Sequence, residues 1–272
     1  MQDAKPDPPR QNPARFNDIM DPARARAMQA TLGQEQTIEQ GTPLPPFYHQ
    51  LYFWQALPPD RLGRDGHPRT GQGGIPDMGL PRRMWAGGRL KFAAPLLAGV
   101  AAVKTTYVES TARKQGRTGP LAFVTLRHEV AQDGRICATE WHDLVYREDP
   151  APGQPAPTPP MAATDEQVAR KVTFNETLLF RYSALTFNGH RIHYDPDYTR
   201  DVEGYGGLVV HGPLLAQLLM LLAEEQLGTL TRFSFRATSP LTLDQGATLC
   251  WKDGTAWVRA DDGRQCMIAE AG

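Results

Sequence analysis

Cysteine is scarce in this sequence, and the few cysteines show no pairing pattern. Cys137, Cys250 and Cys266 are the three in 272 residues; they are widely separated, and no two form a CxxC motif. An odd number of distant cysteines is not typical of a disulfide framework or of a structural zinc site. We therefore predict reduced thiols and no cysteine-bound metal.

Long apolar runs and a strong net charge are also missing. The longest apolar stretch, residues 214–223 with Gln217 inside it, is far shorter than the ~20 residues that span a bilayer. Residues 1–18, MQDAKPDPPRQNPARFND, lack the apolar core of a signal peptide, which favours a soluble, cytoplasmic protein. The formal net charge of -1 gives no electrostatic reason to expect a nucleic-acid or membrane-surface partner.

Proline, by contrast, is abundant and concentrated in one segment. Six prolines occur in residues 149–163, DPAPGQPAPTPPMAA, where neither a helix nor a sheet ladder can continue. This segment predicts an extended linker. The chain is then divided into a loose N-terminal arm (1–18), an N-terminal domain (19–148), the linker (149–163) and a C-terminal domain (164–272).

The N-terminal domain begins with helical signals. Asp21 as N-cap, Pro22 at the first helical position and Gly33 as a stop predict one helix. Residues 43–57, PLPPFYHQLYFWQAL, place apolar side chains at helical spacing and predict a second, buried helix. The Gly/Pro-rich residues 58–81 predict a loop, and a loop of this length is more often functional or mobile than structural.

Strand patterns follow in both domains. In the N-terminal domain they cover residues 84–92, 100–113, 120–131 and 136–147, with clear alternation in PLAFVTLRHEV. In the C-terminal domain VTFNETLLFRYSAL has a strand-like pattern, and a helix from Pro213 to about Leu227 precedes strands at 230–239, 247–252, 255–260 and 264–270. Each domain is thus predicted to hold one long helix and four or five antiparallel strands, an α+β architecture built twice.

A polar, histidine-rich segment precedes the C-terminal helix. It contains three of the seven histidines, His190, His193 and His211. An imidazole moves protons near neutral pH, so His193 is a candidate general base; a surface or capping histidine is the alternative. Asn188, His190 and Arg191 either orient water and bind a substrate carboxylate or are solvated loop residues.

The helix start at His211-Gly212-Pro213 is the second candidate feature. Proline suits the first helical turn, which places Gly212 at or beside the N-cap. Free backbone N–H groups and the helix dipole can stabilise a developing oxyanion there, and a glycine lets a ligand approach the backbone closely. An ordinary helix start is the alternative.

A metal site is another possible use of the same segment. His193, Asp195 and His211 supply the residue types of a 2-His-1-carboxylate iron site. The two histidines are close in sequence for such a site, and His211 is better placed at the helix start. The metal hypothesis is therefore the weaker one.

The motif LTFNGHRIHYDPDY, followed by GLVVHGPL, resembles the hydratase 2 signature of MaoC-like hot-dog hydratases and dehydratases. It is most similar to the two-hot-dog branch that contains mesaconyl-C4-CoA (3-methylfumaryl-CoA) hydratase, itaconyl-CoA hydratase and mitochondrial-type 3-hydroxyacyl-thioester dehydratases. In the first half, LPRRMWAGGRLKF, GRTGPLAFVTLRHEV and LVYRE are similar to the N-terminal hot-dog of that branch. The resemblance extends from about Pro43 to the end, and its specific part is the C-terminal motif.

The resemblance implies a tandem (double) hot-dog fold, each half a long central helix wrapped by an antiparallel sheet. It also implies the addition of water to an enoyl thioester, or the reverse reaction. His193 matches the family's catalytic histidine and Gly212 its carbonyl-binding glycine. Asn188 stands where the family has its aspartate, and His190 where it has an asparagine. Because an amide cannot accept a proton, the acid–base work is expected to fall on His193 while Asn188 orients the water.

A short branched or dicarboxylic enoyl-CoA, such as mesaconyl-C4-CoA or itaconyl-CoA, is the expected substrate. The substrate-binding candidates are His190, Arg191, Arg181 and His211, and either arginine is available for a free carboxylate. The alternatives are a dehydratase of (3R)-3-hydroxyacyl-CoA or acyl-carrier-protein thioesters, and a thioester-binding hot-dog module that has lost catalysis. The N-terminal half is expected to be a non-catalytic copy that shapes the pocket. We expect no metal or redox cofactor, with CoA as part of the substrate, and a homodimer, since hot-dog units usually pair.

Overall fold

The computed structural model describes residues 13–71, 74–116, 119–149 and 158–272. Residues 1–12 of the predicted arm and residues 150–157 of the predicted linker lie outside the described residues. The predicted division into two domains therefore stays a prediction, and the two halves are described below as parts of one sheet.

The N-terminal half is built mainly from long strands. Its elements are β1 (Ala14–Ile19), α1 (Pro22–Thr31), β2 (Arg82–Phe92), β3 (Ala101–Gly116), β4 (Gly119–Gln132) and β5 (Arg135–Arg147). The four predicted strands are confirmed, and so is the first helix, which Asp21 caps by accepting a hydrogen bond from the Ala23 N–H. One boundary is corrected: residues 14–18 are not a loose arm, because they pair with β3.

The predicted buried helix at residues 43–57 is wrong in conformation, and its predicted burial is confirmed for Phe47 and Leu51 but not for Trp54, which is 39% exposed. Only Tyr48–Leu51 forms a short 3-10 turn. Phe47 and Phe53 on either side have positive φ angles of 72° and 63°, which no α-helix accommodates. Phe47 and Leu51 are nevertheless only 1% exposed. Buried aromatic side chains therefore fill the place of the predicted central helix in this half.

The C-terminal half surrounds one long helix with short strands. Its elements are β6 (Val168–Val172), α2 (Glu176–Thr186), α3 (Pro196–Asp201), α4 (Gly212–Leu227), β7 (Arg232–Ala237), β8 (Ala247–Lys252), β9 (Thr255–Ala260) and β10 (Gln265–Ala271). The long helix and the four strands after it are confirmed. The strand-like pattern at residues 172–185 is wrong, because Asn175 caps α2 there by accepting a 2.8 Å hydrogen bond from the Leu178 N–H. Leu179 and Tyr182, three residues apart, form the buried face of α2.

Ten strands of the described residues form one antiparallel sheet in the order β1-β3-β4-β5-β2-β7-β10-β9-β8-β6. The halves meet where β2 pairs with β7. Gly87 lies in this pairing, and a Cβ atom there would come within 2.5 Å of the Phe235 carbonyl oxygen. The two halves can join into one sheet at this point because the side chain is missing.

Helix α4 is the centre of the C-terminal half. Leu214, Leu219 and Leu222 on this helix are 0% exposed, and the helix packs against β7, β8, β9 and β10. Burial of each leucine contributes roughly 2 kcal/mol. This packing fixes the N-terminal end of α4, where Gly212 lies.

The structure shows the state of the cysteines and the length of the helices. Cys137, Cys250 and Cys266 are free and buried. Burial raises the pKa of the Cys250 thiol to about 11, so this thiol stays protonated and is a poor metal ligand. Among the helices of the described residues, none has the length and hydropathy that a bilayer crossing requires.

Candidate active site

A cavity of about 490 Å³ lies where the two halves meet. Strands β2 to β5 line one side, and the segment 188–193 with the first turn of α4 lines the other. Its lining includes six histidines, five other charged residues and one asparagine: His49, His67, Arg82, Arg83, Lys104, His128, Glu140, His142, Asn188, His190, His193 and Glu203. Titratable groups that converge in one cavity of this size mark a candidate active site.

His193 is held in the cavity wall with one ring nitrogen fixed. It ends a 3-10 turn, Arg191–His193, and its Nδ1 donates a 2.7 Å hydrogen bond to the Val209 carbonyl oxygen. Because a carbonyl oxygen only accepts, Nδ1 carries the proton and Nε2 keeps a lone pair. Burial, together with nearby His190, lowers the pKa of His193 to about 3. The imidazole is therefore neutral near pH 7 and offers a proton acceptor.

His211 lies behind His193 and does not line the cavity. The two rings stack with centroids 3.6 Å apart and planes 20° from parallel. The Nε2 atom of His211 is 2.8 Å from the Ser183 hydroxyl oxygen, and burial holds the pKa of His211 well below its usual range. His211 is thus placed to fix the ring plane of His193 rather than to touch a substrate.

Asn188 and His190 lie beside His193 in the cavity lining. The Asn188 N–H donates to the Ser183 carbonyl oxygen at the end of α2, which turns the chain toward the cavity. Asn188 Oδ1 accepts a 3.0 Å hydrogen bond from the His190 backbone N–H, which leaves its amide NH2 group for a ligand. Burial and then neighbouring His67 lower the pKa of His190 to about 3. His190 is therefore a second neutral imidazole next to His193.

Gly212 brings the N-terminal end of α4 into the same cavity. It is the first residue of this 16-residue helix, with Pro213 in the first turn. A Cβ atom on Gly212 would meet no other atom within 4 Å, so the backbone is open to a ligand from the cavity side. Unpaired N–H groups and the positive end of the helix dipole at this point favour a negatively charged oxygen.

The structure does not bring Arg181 and Arg191 to the cavity. Arg181 is exposed on α2. Arg191 pairs with Asp195 at 2.7 Å on the outer side of the segment. Asp195 also caps α3, so the carboxylate of the alternative iron site is engaged elsewhere and does not join His193 and His211.

A loop of the N-terminal half adds Asp65 and His67, which the sequence did not single out. The Asp65 carbonyl oxygen accepts a 2.9 Å hydrogen bond from the Arg191 N–H. A Cβ atom on Gly66 would overlap the Gly189 carbonyl oxygen, so a glycine is required for the loop to lie this close. The Asp65 carboxylate and His67 Nδ1 are 3.1 Å apart, and the His67 and His190 ring centroids are 4.4 Å apart.

The same three side chains are arranged so that they could also hold a metal ion. The ligand atoms of Asp65, His67 and His190 lie within 4.8 Å of one another. Two imidazoles and one carboxylate form a donor set that suits a divalent transition metal. The hydrogen bond between Asp65 and His67 is, equally, the arrangement that orients a catalytic imidazole.

Glu140 is the centre of a polar cluster on the opposite wall. This 2% exposed carboxylate is 2.7 Å from His49 Nε2 and 2.6 Å from His142 Nε2, and it accepts a 2.7 Å hydrogen bond from the Gln50 amide. Burial alone would raise the pKa of Glu140, but His142 and His49 outweigh it and hold the pKa well below its usual range. The N-terminal half therefore contributes an ionised and fully paired carboxylate to the cavity wall.

Two arginines at the start of β2 differ in their pairing. Arg82 forms a buried 2.7 Å ion pair with Glu203, which ties β2 to the segment after α3. Arg83 Nη1 is buried without a hydrogen-bond partner among the described residues. The Arg83 charge is close enough to disfavour protonation of His190. A cation that faces the cavity with a free donor is a ready site for an anionic ligand group.

Known sequences resemble most of this chain. The hydroxyacyl-thioester dehydratase type 2 family matches residues 47–243. Mesaconyl-C(4)-CoA hydratase of Chloroflexus aurantiacus is 48% identical over 202 residues, which are 74% of this chain and 71% of that protein. The mitochondrial hydroxyacyl-thioester dehydratase type 2 of Schizosaccharomyces pombe is 28% identical over 250 residues, with 80% of this chain and 81% of that protein covered.

Solved structures share the fold over nearly the whole chain. A MaoC-like dehydratase from Phytophthora capsici has a TM-score of 0.69 at 12% identity, with 96% of each chain covered. A Mycobacterium tuberculosis protein with a double hot-dog fold has a TM-score of 0.59 at 14% identity, with 96% of this chain and 95% of that chain covered. At such low identity the likeness concerns the fold alone, and it confirms the predicted double hot-dog.

Proposed function

The chain belongs to the hydroxyacyl-thioester dehydratase type 2 family, and from this premise we propose that it is a hydro-lyase acting on a short dicarboxylic or branched enoyl-CoA. It adds water to the double bond of the acyl chain. The observation that carries the proposal is one cavity lined by both the neutral His193 imidazole and the Gly212 end of α4. These are the proton acceptor and the carbonyl-binding group that the reaction needs.

The proposal gives each group a role. The thioester carbonyl oxygen accepts a hydrogen bond from the Gly212 N–H, which stabilises the negative charge that develops on this oxygen. Removal of one such donor typically lowers kcat by about 10²–10³-fold. His193 Nε2 accepts a proton from water as the water oxygen attacks the β-carbon. The free amide of Asn188 orients this water, and His211 keeps the His193 ring in plane.

Arg83 supports a substrate with a free carboxylate. Arg83 is half-buried, and its Nη1 atom is buried without a hydrogen-bond partner among the described residues, so a bound carboxylate would offset the desolvation cost of this donor. Arginine also binds carboxylates with two parallel hydrogen bonds, which fixes their orientation. The 48% identical relative is named as a hydratase of mesaconyl-C(4)-CoA, an acyl-CoA of this chemical class. We therefore assign the carboxylate-binding role to Arg83, since Arg181 and Arg191 lie outside the cavity.

The second candidate function is a dehydratase of 3-hydroxyacyl thioesters. The observation in its favour is the 28% identity to the Schizosaccharomyces pombe enzyme over 80% of this chain. The chemistry is the reverse of hydration and uses the same groups, so the two functions differ in substrate. An apolar chain in place of the carboxylate would leave Arg83 unpaired, which favours the dicarboxylic substrate.

A substrate panel tests the proposed function. The purified protein is mixed with mesaconyl-C4-CoA, itaconyl-CoA and crotonyl-CoA in turn, and loss of the enoyl-thioester absorbance is followed. We expect turnover of a carboxylated substrate in preference to crotonyl-CoA. Preference for crotonyl-CoA would support the dehydratase instead. Binding of all three without turnover would show a thioester-binding module that has lost catalysis.

Replacement of Arg83 by glutamine is expected to raise KM for the carboxylated substrate by about 10- to 100-fold, the effect of losing one charge-assisted contact of about 1.5–3 kcal/mol. The KM for crotonyl-CoA should stay unchanged, because that substrate has no carboxylate. The matched control is Arg89→Gln, which changes an exposed arginine of the same strand. An equal loss for both substrates would contradict a carboxylate-binding role.

Three further features belong to the proposal. We propose that the reaction uses no metal or redox cofactor and that CoA is part of the substrate. We also propose a homodimer and a cytoplasmic location. Size-exclusion chromatography with light scattering tests the first of these two expectations, and localisation of a tagged protein tests the second.

A further inference from the structure

The proposed hydration requires two proton transfers, and His193 accounts for one of them. Water must lose a proton when its oxygen bonds to the β-carbon, and the α-carbon must gain one. The position that holds an aspartate in the family motif is occupied by Asn188, whose amide neither accepts nor releases a proton under these conditions. His193 can serve one transfer. Burial lowers the pKa of His190, the other imidazole of this segment, to about 3, so its ring holds no extra proton to donate near pH 7.

The loop of the N-terminal half provides a titratable pair at the same cavity. His67 lines the cavity, and its Nδ1 is 3.1 Å from the Asp65 carboxylate. Since the carboxylate accepts this hydrogen bond, His67 Nε2 is the ring nitrogen that remains for chemistry. The hydrogen bond to His67 and the nearby charges outweigh burial and hold the pKa of Asp65 below its usual range.

The pair is held firmly against the catalytic segment. The Arg191 N–H donates to the Asp65 carbonyl oxygen over 2.9 Å, and the Arg191 guanidinium donates to the Arg64 carbonyl oxygen over 3.2 Å. The side chains of Asp65 and His67 are only 20% and 25% exposed. Backbone contacts of this kind place a side chain with the accuracy that proton transfer requires.

The imidazoles of the two halves form a continuous row. The ring centroids of His67 and His190 are 4.4 Å apart, and those of His190 and His193 are 5.5 Å apart. His190 thus lies between the residue that takes the proton from water and the pair contributed by the loop. A row of imidazoles is suited to return a proton from one end to the other between turnovers.

We propose that Asp65 and His67 are the second acid–base pair of this enzyme, with His67 as a catalytic residue that protonates the α-carbon and Asp65 as the positioning residue that orients it. The proposal rests on the proposed hydratase function. In the family motif an aspartate stands at position 188 and can transfer a proton. This chain has Asn188 there, and we assign the proton transfer to a loop of the N-terminal half instead.

In the hydration direction, one proton leaves water and one proton is added to the α-carbon. A water O–H bond breaks and its proton goes to His193 Nε2, while the water oxygen bonds to the β-carbon. The π electron pair moves through the enolate, whose oxygen is held by the Gly212 N–H, and forms the new α-C–H bond with the proton of His67 Nε2–H. His193 then carries an extra proton and His67 lacks one, so a transfer along His190 or through solvent restores both. Ionised Asp65 stabilises the positive charge of His67 while it holds the proton.

Replacement of His67 by asparagine tests the proposal on the substrate that the wild-type enzyme hydrates fastest. Asparagine keeps a donor near the Nδ1 position for Asp65 but has no atom at Nε2. We expect kcat to fall about 10²-fold with KM changed less than about threefold, the signature of a lost proton donor. Asp65→Asn should lower kcat about 10-fold, since an amide orients His67 without stabilising its charge. Asp60→Asn, a change at an exposed position of the same loop, is the matched control and should leave kcat unchanged.

Two further measurements separate catalysis from structure and from metal binding. Imidazole added to His67→Ala should restore part of the lost kcat, which a structural role would not allow. Wild-type kcat should be unchanged after dialysis against a chelator. Full activity of His67→Asn, or loss of wild-type activity on chelation that Zn²⁺ or Fe²⁺ restores, would overturn the proposal. Wild-type protein inactive on every enoyl-CoA would instead overturn the proposed function, and this step with it.

Discussion

Replacing His193 with asparagine is expected to lower kcat for hydration about 10³-fold, within the range that general acid–base catalysis supplies. The physical reason is the loss of Nε2, the atom whose lone pair accepts the proton from water. The asparagine amide nitrogen occupies the place of Nδ1, so it can keep the hydrogen bond to the Val209 carbonyl oxygen, which is 2.7 Å long in the native protein. Steady-state rates of the purified variant on the best enoyl-CoA give the measurement.

Alanine at the same position separates chemistry from packing. His193→Ala removes the base, but it also leaves the Val209 carbonyl oxygen unpaired and takes away the ring on which His211 stacks. An unpaired buried acceptor costs about 1–3 kcal/mol, so this variant should also unfold at a lower temperature. Similar kcat values for both variants, with a lower melting temperature for alanine alone, would assign the rate loss to Nε2. An asparagine variant that keeps most of its activity would show that another group is the base.

The C-terminal side of the site could be predicted because it is local in sequence. Asn188, His190 and His193 lie in one short segment, and Gly212 begins the helix that follows. Pro213 and the apolar run after it predict a helix start there, and α4 does begin at Gly212. The sequence does not show that His211 stacks behind His193, because ring stacking depends on how two separated turns pack.

The N-terminal side could not be predicted, because its residues converge only when the sheet forms. Arg83 is on β2 and Glu140 is on β5, and antiparallel pairing of these strands brings them to one cavity. His67 lies in a loop whose length indicated a function, but no spacing rule connects it with His190. In the structure, the close approach of Gly66 to Gly189 brings the loop next to His190. A glycine in the sequence does not by itself predict such a contact.

The two wrong elements have a common cause. The spacing of apolar residues indicates which side chains are candidates for burial. In short segments it does not decide between a helix, a strand and an irregular backbone. In residues 43–57 Phe47 and Leu51 are buried as predicted, but Trp54 is exposed, and Phe47 and Phe53 have positive φ angles that break the helix. In residues 172–185 the Asn175 cap and the buried pair Leu179 and Tyr182 produce a helix where alternation suggested a strand.

Lowering the pH from 7.5 to 5 is expected to reduce the free energy of unfolding by roughly 4 kcal/mol through His190 and His193. His190 and His193 have a pKa of about 3 in the folded protein, compared with 6.5 for an ordinary histidine, mainly because burial disfavours the charged ring. Between these two pH values the unfolded chain binds protons that the folded chain does not bind. Stability from these groups is complete above about pH 6.5 and is lost as the pH falls, by about 2 kcal/mol for each histidine at pH 5.

Urea unfolding at several pH values, with wild type and His193→Asn, measures this loss. The variant lacks one of the two imidazoles, so its loss of stability should be smaller by about 2 kcal/mol. His128 and His211, whose pKa values burial also holds well below the usual range, add to the loss in both proteins. Glu140 does not oppose it, because its pKa lies well below the usual range and it stays ionised at pH 5. A stability that is flat over this range would mean that the folded protein protonates these imidazoles freely. His193 would then have a pKa closer to that of an ordinary histidine, and its ring would still be mostly neutral at pH 7.5 and able to accept a proton.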